Sequence, residues 1–188
     1  MRFSIVALIL IHLAIPLFSL NPKAKNGFLL KKSDVVAFVG GTDMVRMQKE
    51  GRVEAALTHR YKKARPLFRD LSWEGDTVYL QTTVSERWRR KAFGDLNGQL
   101  NKVGATVVIA QFGKIESLDG PGRLEDFTKA YDKLINQLSN DDRRVALLAP
   151  PSFEWEQANG DFLKAYSNMV EELAAKRKIP FFRDLVGE

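Results

Sequence analysis

A threonine with a neighbouring carboxylate follows a short apolar run near the start of the chain. The run covers residues 35–39 and stops at Gly40-Gly41-Thr42-Asp43. The two glycines permit a tight turn, so the Thr42 hydroxyl is either a nucleophile or, like Asp43, a cap for the helix that follows. The segment matches neither a dinucleotide-binding glycine motif nor a phosphate-binding loop, which gives a nucleotide site little support.

Polar segments also follow three later apolar runs. They are SWEGDT at 72–77, GKIES at 113–117 and PPSF at 150–153. In an open α/β sheet, ligands bind beyond the carboxyl ends of the strands. The sequence therefore predicts that these segments meet at one edge of a sheet.

Strands and helices must alternate along the chain to position these segments. Strands are predicted at 35–39, 66–71, 106–112, 144–149 and 180–185, and helices at 44–63, within 85–103, and at 124–138 and 159–178. Parallel neighbours need crossover connections, so this alternation predicts a parallel sheet with helices on both faces. A chain of 188 residues with 45% hydrophobic content is near the common size of one domain.

Three segments, "AFVGGTDMV", "FRDLSWEGDTV" and "VVIAQFGKIES", resemble the SGNH (GDSL-like) hydrolase family, particularly its exported, esterase-like members. The resemblance covers roughly residues 35–185. It implies an α/β fold, namely a three-layer α/β/α sandwich with a parallel, flavodoxin-like five-stranded sheet. It also implies acyl transfer, in which a hydroxyl attacks an ester, a histidine takes its proton and amides stabilise the oxyanion.

The same resemblance implies a role for each matching position. Thr42 falls on the nucleophile, Gly75 on the oxyanion glycine of the second block, and Gly113 on the glycine of the third block. Ile115 stands where the family has an oxyanion-binding asparagine, and loss of one such donor costs roughly 2.7–4 kcal/mol of transition-state stabilisation. Glu116 follows, and it could replace that donor only in its protonated form.

The catalytic base has no clear counterpart in this sequence. His12 lies in the N-terminal leader, and His59 lies about 25 Å from Thr42 if the predicted helix 44–63 is continuous. The family's Asp-x-x-His block is missing, because Asp184 in "FFRDLVGE" matches a strand-end aspartate and Gly187 occupies the place of the histidine.

Three functional hypotheses stay open at this point. The first is an exported ester hydrolase with an incomplete catalytic set, acting on a small ester or an acylated carbohydrate. The second is a non-catalytic ligand-binding or interaction domain on the same fold. The third is a fragment of a longer hydrolase.

Other residues of the second and third segments have both structural and functional interpretations. Asp76-Thr77 either caps the next helix or orders its loop, and Trp73 either packs or lines a ligand cleft. Glu74, Asp76 and Glu116 are too few oxygen ligands to indicate a cation site. We therefore expect neither a metal nor a cofactor.

The N-terminal region is typical of an exported protein. Residues 1–20 carry one basic residue followed by an uncharged apolar stretch, which predicts a signal peptide or a signal anchor. Residues 21–32 are predicted to be a linker and 33–188 the hydrolase-like domain. The predicted location is periplasmic or extracellular, with membrane contact only through an uncleaved N-terminal segment.

Composition excludes some chemistry and some partners. The chain has no cysteine, which rules out disulfides and thiolate metal sites. Its net charge of +6 is spread along the sequence, and the basic run at 87–91 is short and isolated. We therefore expect no nucleic-acid partner.

Overall fold

Five parallel strands form the centre of the protein. The computed structural model describes residues 28–79, 92–153 and 160–185. One sheet has the order β2-β1-β3-β4-β5, and all its neighbouring strands are parallel. The strands are β1 (Val35–Gly40), β2 (Leu67–Asp70), β3 (Val107–Gln111), β4 (Arg144–Leu148) and β5 (Phe181–Phe182). The predicted flavodoxin-like, five-stranded parallel sheet is confirmed.

Helices cover both faces of this sheet. They are α1 (Thr42–Glu50), α2 (Arg52–Arg60), α3 (Leu96–Lys102), α4 (Leu124–Leu138) and α5 (Gly160–Arg177). Side chains of β1 alternate between two apolar clusters, with Val36 and Phe38 on the face of α1 and α2. Ala37 and Val39 belong to the opposite cluster, which includes residues of α3, α4 and α5. The predicted three-layer α/β/α sandwich is therefore confirmed.

The predicted single helix at 44–63 is wrong, because the chain breaks at Gly51. Gly51 has a φ of 67° and forms both the C-cap of α1 and the N-cap of α2. Glycine adopts this left-handed conformation without a Cβ penalty, so it can end one helix and begin another. The break removes the basis for the predicted distance between Thr42 and His59.

Two other predicted elements differ in extent. β5 is shorter than the predicted strand 180–185, because only Phe181 and Phe182 pair with β4 while Arg183 and Asp184 are exposed. Of the predicted helical region 85–103, the structure shows α3 as a regular helix. Residues 85–91, which include the basic run, lie outside the described residues.

The packed core includes part of the stretch predicted as a linker. Phe28 and Leu30 are 5% and 6% exposed and belong to the cluster on the face of α1 and α2. The Phe28 and Phe182 rings pack edge to face with their centroids 5.6 Å apart, and the Tyr61 hydroxyl donates to the Phe28 carbonyl at 3.0 Å. The core therefore extends at least to Phe28. The predicted signal peptide at 1–20 lies outside the described residues.

Among the helices of the described residues, none combines the length and apolarity needed to cross a membrane.

Candidate active site

Three loops meet closely at the carboxyl edge of the sheet. A Cβ on Gly41 would lie 2.6 Å from the Asp76 carbonyl oxygen, and one on Gly40 would lie 2.7 Å from the Gln111 carbonyl oxygen. The Trp73 N–H also donates to the Gly40 carbonyl at 2.9 Å. The turn after β1 therefore packs against the loop after β2 and the end of β3, and only glycine leaves room for this approach.

Thr42 begins α1 but does not cap it. Gly41 is the N-cap, and no side chain makes a capping hydrogen bond there. The Thr42 Oγ1 instead accepts from the Gly75 N–H at 2.9 Å. The predicted capping role of Thr42 is therefore wrong, because its hydroxyl oxygen faces the second loop. This hydrogen bond brings together the positions predicted for the nucleophile and for an oxyanion amide.

An ion pair connects the first and third loops beside Thr42. Lys114 Nζ lies 2.8 Å from Asp43 Oδ1, and the two side chains are only 17% and 25% exposed. The same ammonium lies 5.3 Å from the centre of the Phe153 ring. The Asp43 carboxylate is thus engaged with a cation and does not cap α1.

Glu116, in the third loop, is buried and faces the residue that follows the second loop. Its Oε1 accepts from the Val78 N–H at 2.9 Å, and its Oε2 accepts from the Gly113 N–H at 2.8 Å. Burial raises the pKa of Glu116 above its ordinary value, although these backbone hydrogen bonds act in the opposite direction. Both carboxylate oxygens are acceptors in this arrangement, so Glu116 is not placed as a substitute oxyanion donor.

A cavity of about 20 Å³ lies among these loops, with Thr42, Gln111, Ile115 and Glu116 in its lining. This volume can hold a group the size of a water molecule. The Gln111 Nε2 donates to the Ala149 carbonyl at 2.9 Å, which fixes the orientation of the amide. Its Oε1 is buried, and none of the described residues donates to it. A group bound in the cavity could therefore donate a hydrogen bond to this acceptor.

Several residues considered from the sequence lie elsewhere. The Trp73 and Phe93 rings pack edge to face with their centroids 5.5 Å apart, and the exposed Glu74 pairs with Lys49 at 2.9 Å. His59 is exposed on α2. Among the described residues, no group of three or more histidine and carboxylate side chains is arranged to hold a metal ion. His12 and Gly187 lie outside the part of the chain that the structure describes.

Sequence reasoning missed two contributors to the cavity, Gln111 and Lys114. Gln111 is the last residue of β3 and the only polar one in that strand. A polar residue at the carboxyl end of an otherwise apolar strand was the available signal. The pairing of Lys114 with Asp43 had no signal in the sequence, because it depends on how closely two loops approach.

Solved esterases and lipases share this architecture. A putative GDSL-like lipase from Parabacteroides merdae has a TM-score of 0.59 at 13% identity, covering 81% of this chain and 78% of that chain. The acetylxylan esterase Axe2 from Geobacillus stearothermophilus has a TM-score of 0.60 at 14% identity, covering 82% and 77%. The acetyl xylan esterase AlAXEase has a TM-score of 0.59 at 18% identity, covering 81% and 80%.

No protein-family model and no curated protein matches the sequence. The relationship therefore rests on the three-dimensional structure, in which the parallel sheet and its flanking helices match those of the esterases and lipases. The chain has the fold of the SGNH (GDSL-like) hydrolases.

Proposed function

We propose that the cavity at Thr42 binds the acyl group of a small ester, and that the chain is an ester-hydrolase-like domain of an exported protein. The proposal rests on the Thr42 hydroxyl, which lies 2.9 Å from the Gly75 N–H beside a cavity at the carboxyl edge of the sheet. A hydroxyl and a backbone amide at one point are the two groups that meet an ester carbonyl in acyl transfer.

The size of the cavity limits the acyl group. The space of about 20 Å³ is small, so among common acyl groups we propose the two-carbon acetyl group over a longer acyl chain. Two of the structural neighbours are named as acetylxylan esterases. An acetylated carbohydrate is therefore the ligand class that we propose.

Turnover requires more than the described residues supply. The Thr42 oxygen would bond to the carbonyl carbon and its proton would pass to a base, which would return it to the leaving alcohol as the ester C–O bond breaks. Water would then hydrolyse the acyl-threonine and restore the hydroxyl. His59 is the only histidine within residues 28–79, 92–153 and 160–185, and it is exposed on α2. The catalytic set is therefore incomplete within the described part of the chain, and we expect slow turnover from it.

A second candidate is ligand binding without turnover on the same fold. It is favoured by Ile115, whose side chain has no hydrogen-bond donor where the resemblance implies an amide side chain. The Gly75 N–H already donates to Thr42, so an ester carbonyl would have to compete for it. Such a site can hold a ligand in its ground state while stabilising an oxyanion poorly.

Hydrolysis of a chromogenic acetyl ester by the full chain tests the proposal. We expect Thr42→Ala to abolish the protein-dependent rate. Thr42→Ser should retain or increase it, because serine keeps the hydroxyl and lacks the methyl group that restricts its rotamer. Thr58→Ala, at an exposed position on α2, is the matched control and should leave the rate unchanged.

Binding of an acetylated xylo-oligosaccharide, measured by calorimetry, separates the two candidates. Saturable binding that weakens in Thr42→Ala, without turnover, would establish the second candidate. Equal hydrolysis rates in the wild type and Thr42→Ala would contradict nucleophilic action by Thr42. If the protein shows no turnover and no binding, the whole proposal is contradicted.

A further inference from the structure

Gly75 lies at an open point of the second loop. Gly75 has a φ of 74°, and no atom beyond its own chain neighbours lies within 4 Å of the point where a Cβ would be. The direction of its N–H is marked by the hydrogen bond to Thr42 Oγ1 and not by packing at the Cβ position. The loop is therefore held by the residues around Gly75. Before it, the Trp73 N–H donates to the Gly40 carbonyl. After it, Asp76 lies against Gly41 and the Val78 N–H donates to Glu116.

We propose that Glu116 is a positioning residue that clasps the second and third loops together and thereby holds the Gly75 N–H on the Thr42 hydroxyl. One oxygen accepts from Val78, which directly follows the second loop, and the other accepts from Gly113 at the start of Glu116's own loop. The consequence for ester binding rests on the function proposed above. The clasp itself is independent of any ligand.

An ionised carboxylate suits this position for a chemical reason. Both partners are backbone N–H donors, and a carboxylate has an acceptor oxygen for each of them. Hydrogen bonds to an ionised acceptor are also shorter and stronger than neutral ones. A glutamine would turn an NH₂ group towards one of the two N–H donors and break that side of the clasp.

The surroundings of Glu116 determine how the clasp responds to pH. The titratable groups that face it are Asp76 from the second loop, Tyr79 beside Val78, Tyr131 on α4 and Tyr166 on α5. The nearby Lys114 ammonium is paired with Asp43. Burial raises the pKa of Glu116, and burial likewise raises the pKa values of the three tyrosines, which keeps them neutral in the acidic range. Protonation of Glu116 would replace one acceptor oxygen by an O–H and open the clasp.

Amide resonances of the full chain, followed by NMR as the pH is lowered, test this inference. The Gly113 and Val78 amides should shift in one transition, and the Gly75 amide should shift at the same pH. In Glu116→Gln the transition should disappear, and exchange of the Gly75 amide with solvent should become about tenfold faster. Glu125→Gln is the matched control, because Glu125 is 79% exposed on α4 and its ion pair is with Lys129, which is also exposed.

An unchanged Gly75 amide in folded Glu116→Gln would overturn the inference. If that variant does not fold, the wild-type titration decides, since a Gly75 amide that stays still while Gly113 and Val78 shift would also overturn it. In Asp76→Asn the transition should persist, and its loss there combined with survival in Glu116→Gln would assign it to Asp76 instead. Acetyl-ester binding absent from the wild type would contradict the proposed function while leaving these amide results valid.

Discussion

Ile115 places an apolar side chain in the lining of the cavity, where the resemblance implies an amide donor. It is 38% exposed and belongs to neither apolar cluster, so a polar residue there would leave no gap in the core. An amide at this point could donate to an oxyanion, whereas isoleucine offers only apolar contact. The Ile115 side chain can therefore give a bound group apolar contact but no hydrogen bond to an oxyanion.

We predict that Ile115→Asn raises the rate of acetyl-ester hydrolysis through Thr42. One oxyanion donor is worth about 10²–10³ in kcat in a comparable site, and we expect at least about a tenfold increase here. The measurement is hydrolysis of the chromogenic acetyl ester. Leu118→Asn is the control, because Leu118 is 54% exposed in the short helix just after Ile115. Equal rates in the two variants would show that position 115 is not an oxyanion position.

Residue positions at this site can be predicted from the sequence, but their partners cannot. Thr42 and Glu116 follow predicted strand ends, and the structure places both in the lining of one cavity. The partners of their oxygens are the backbone N–H groups of Gly75, Val78 and Gly113. Every residue except proline has such a group, so residue identity alone does not reveal which one meets a given side chain.

Gly41 lies at the boundary between β1 and α1, where the loops come into close contact. It ends the turn between β1 and α1, and its φ of −87° is one that other residues adopt easily. Space, rather than backbone conformation, therefore requires glycine here. The atom that a Cβ would meet is a backbone oxygen of Asp76, which cannot rotate away as a side chain could.

Gly41→Ala should lower the free energy of unfolding by about 1–3 kcal/mol, because the new Cβ would lie 2.6 Å from the Asp76 carbonyl oxygen and force the loops apart. Urea unfolding measures this change. Gly122→Ala is the matched control, since no atom lies within 4 Å of its Cβ position and its backbone carries no positive φ. A Gly41→Ala protein as stable as the Gly122→Ala protein would show that the junction yields without cost.

Elements with a strong hydrophobic periodicity are predicted well from the sequence, whereas boundaries set by local backbone geometry are not. α4 occupies the predicted residues 124–138, and its buried positions include Phe127, Tyr131 and Leu138 on one face. The break at Gly51 was not predicted, because an amphipathic helical pattern continues on both sides of it. A single glycine inside a helix costs only about 1 kcal/mol, so its presence alone does not identify a break.

At the scale of the whole molecule, a short N-terminal segment covers part of one sheet face. Phe28 and Leu30 pack in the same cluster as Phe182 and Leu185, which lie at the other end of the described chain. The Arg144 guanidinium also donates to the Leu29 carbonyl at 2.6 Å. Residues 28–30 therefore belong to the folded domain.

We predict that Phe28→Ala lowers the free energy of unfolding by about 3–5 kcal/mol, as expected when a buried aromatic ring is removed. Leu29→Ala provides a control from the adjacent residue, because Leu29 is 47% exposed and should change stability by less than about 1 kcal/mol. Chemical denaturation of both variants makes the comparison. Similar small effects would mean that residues 28–30 act as a linker, as their sequence first indicated.

The packing of Phe28 against Phe182 also has a consequence for the order of folding. The hydrogen bond between Arg144 and Leu29 alone spans 115 positions, and closing such long loops costs entropy before any contact repays it. In a chain synthesised from its N terminus, Phe28 emerges early and meets its partner ring only after β5 has been made. We therefore expect the central pairs of strands to assemble first and the N-terminal segment to dock in a late, slow step.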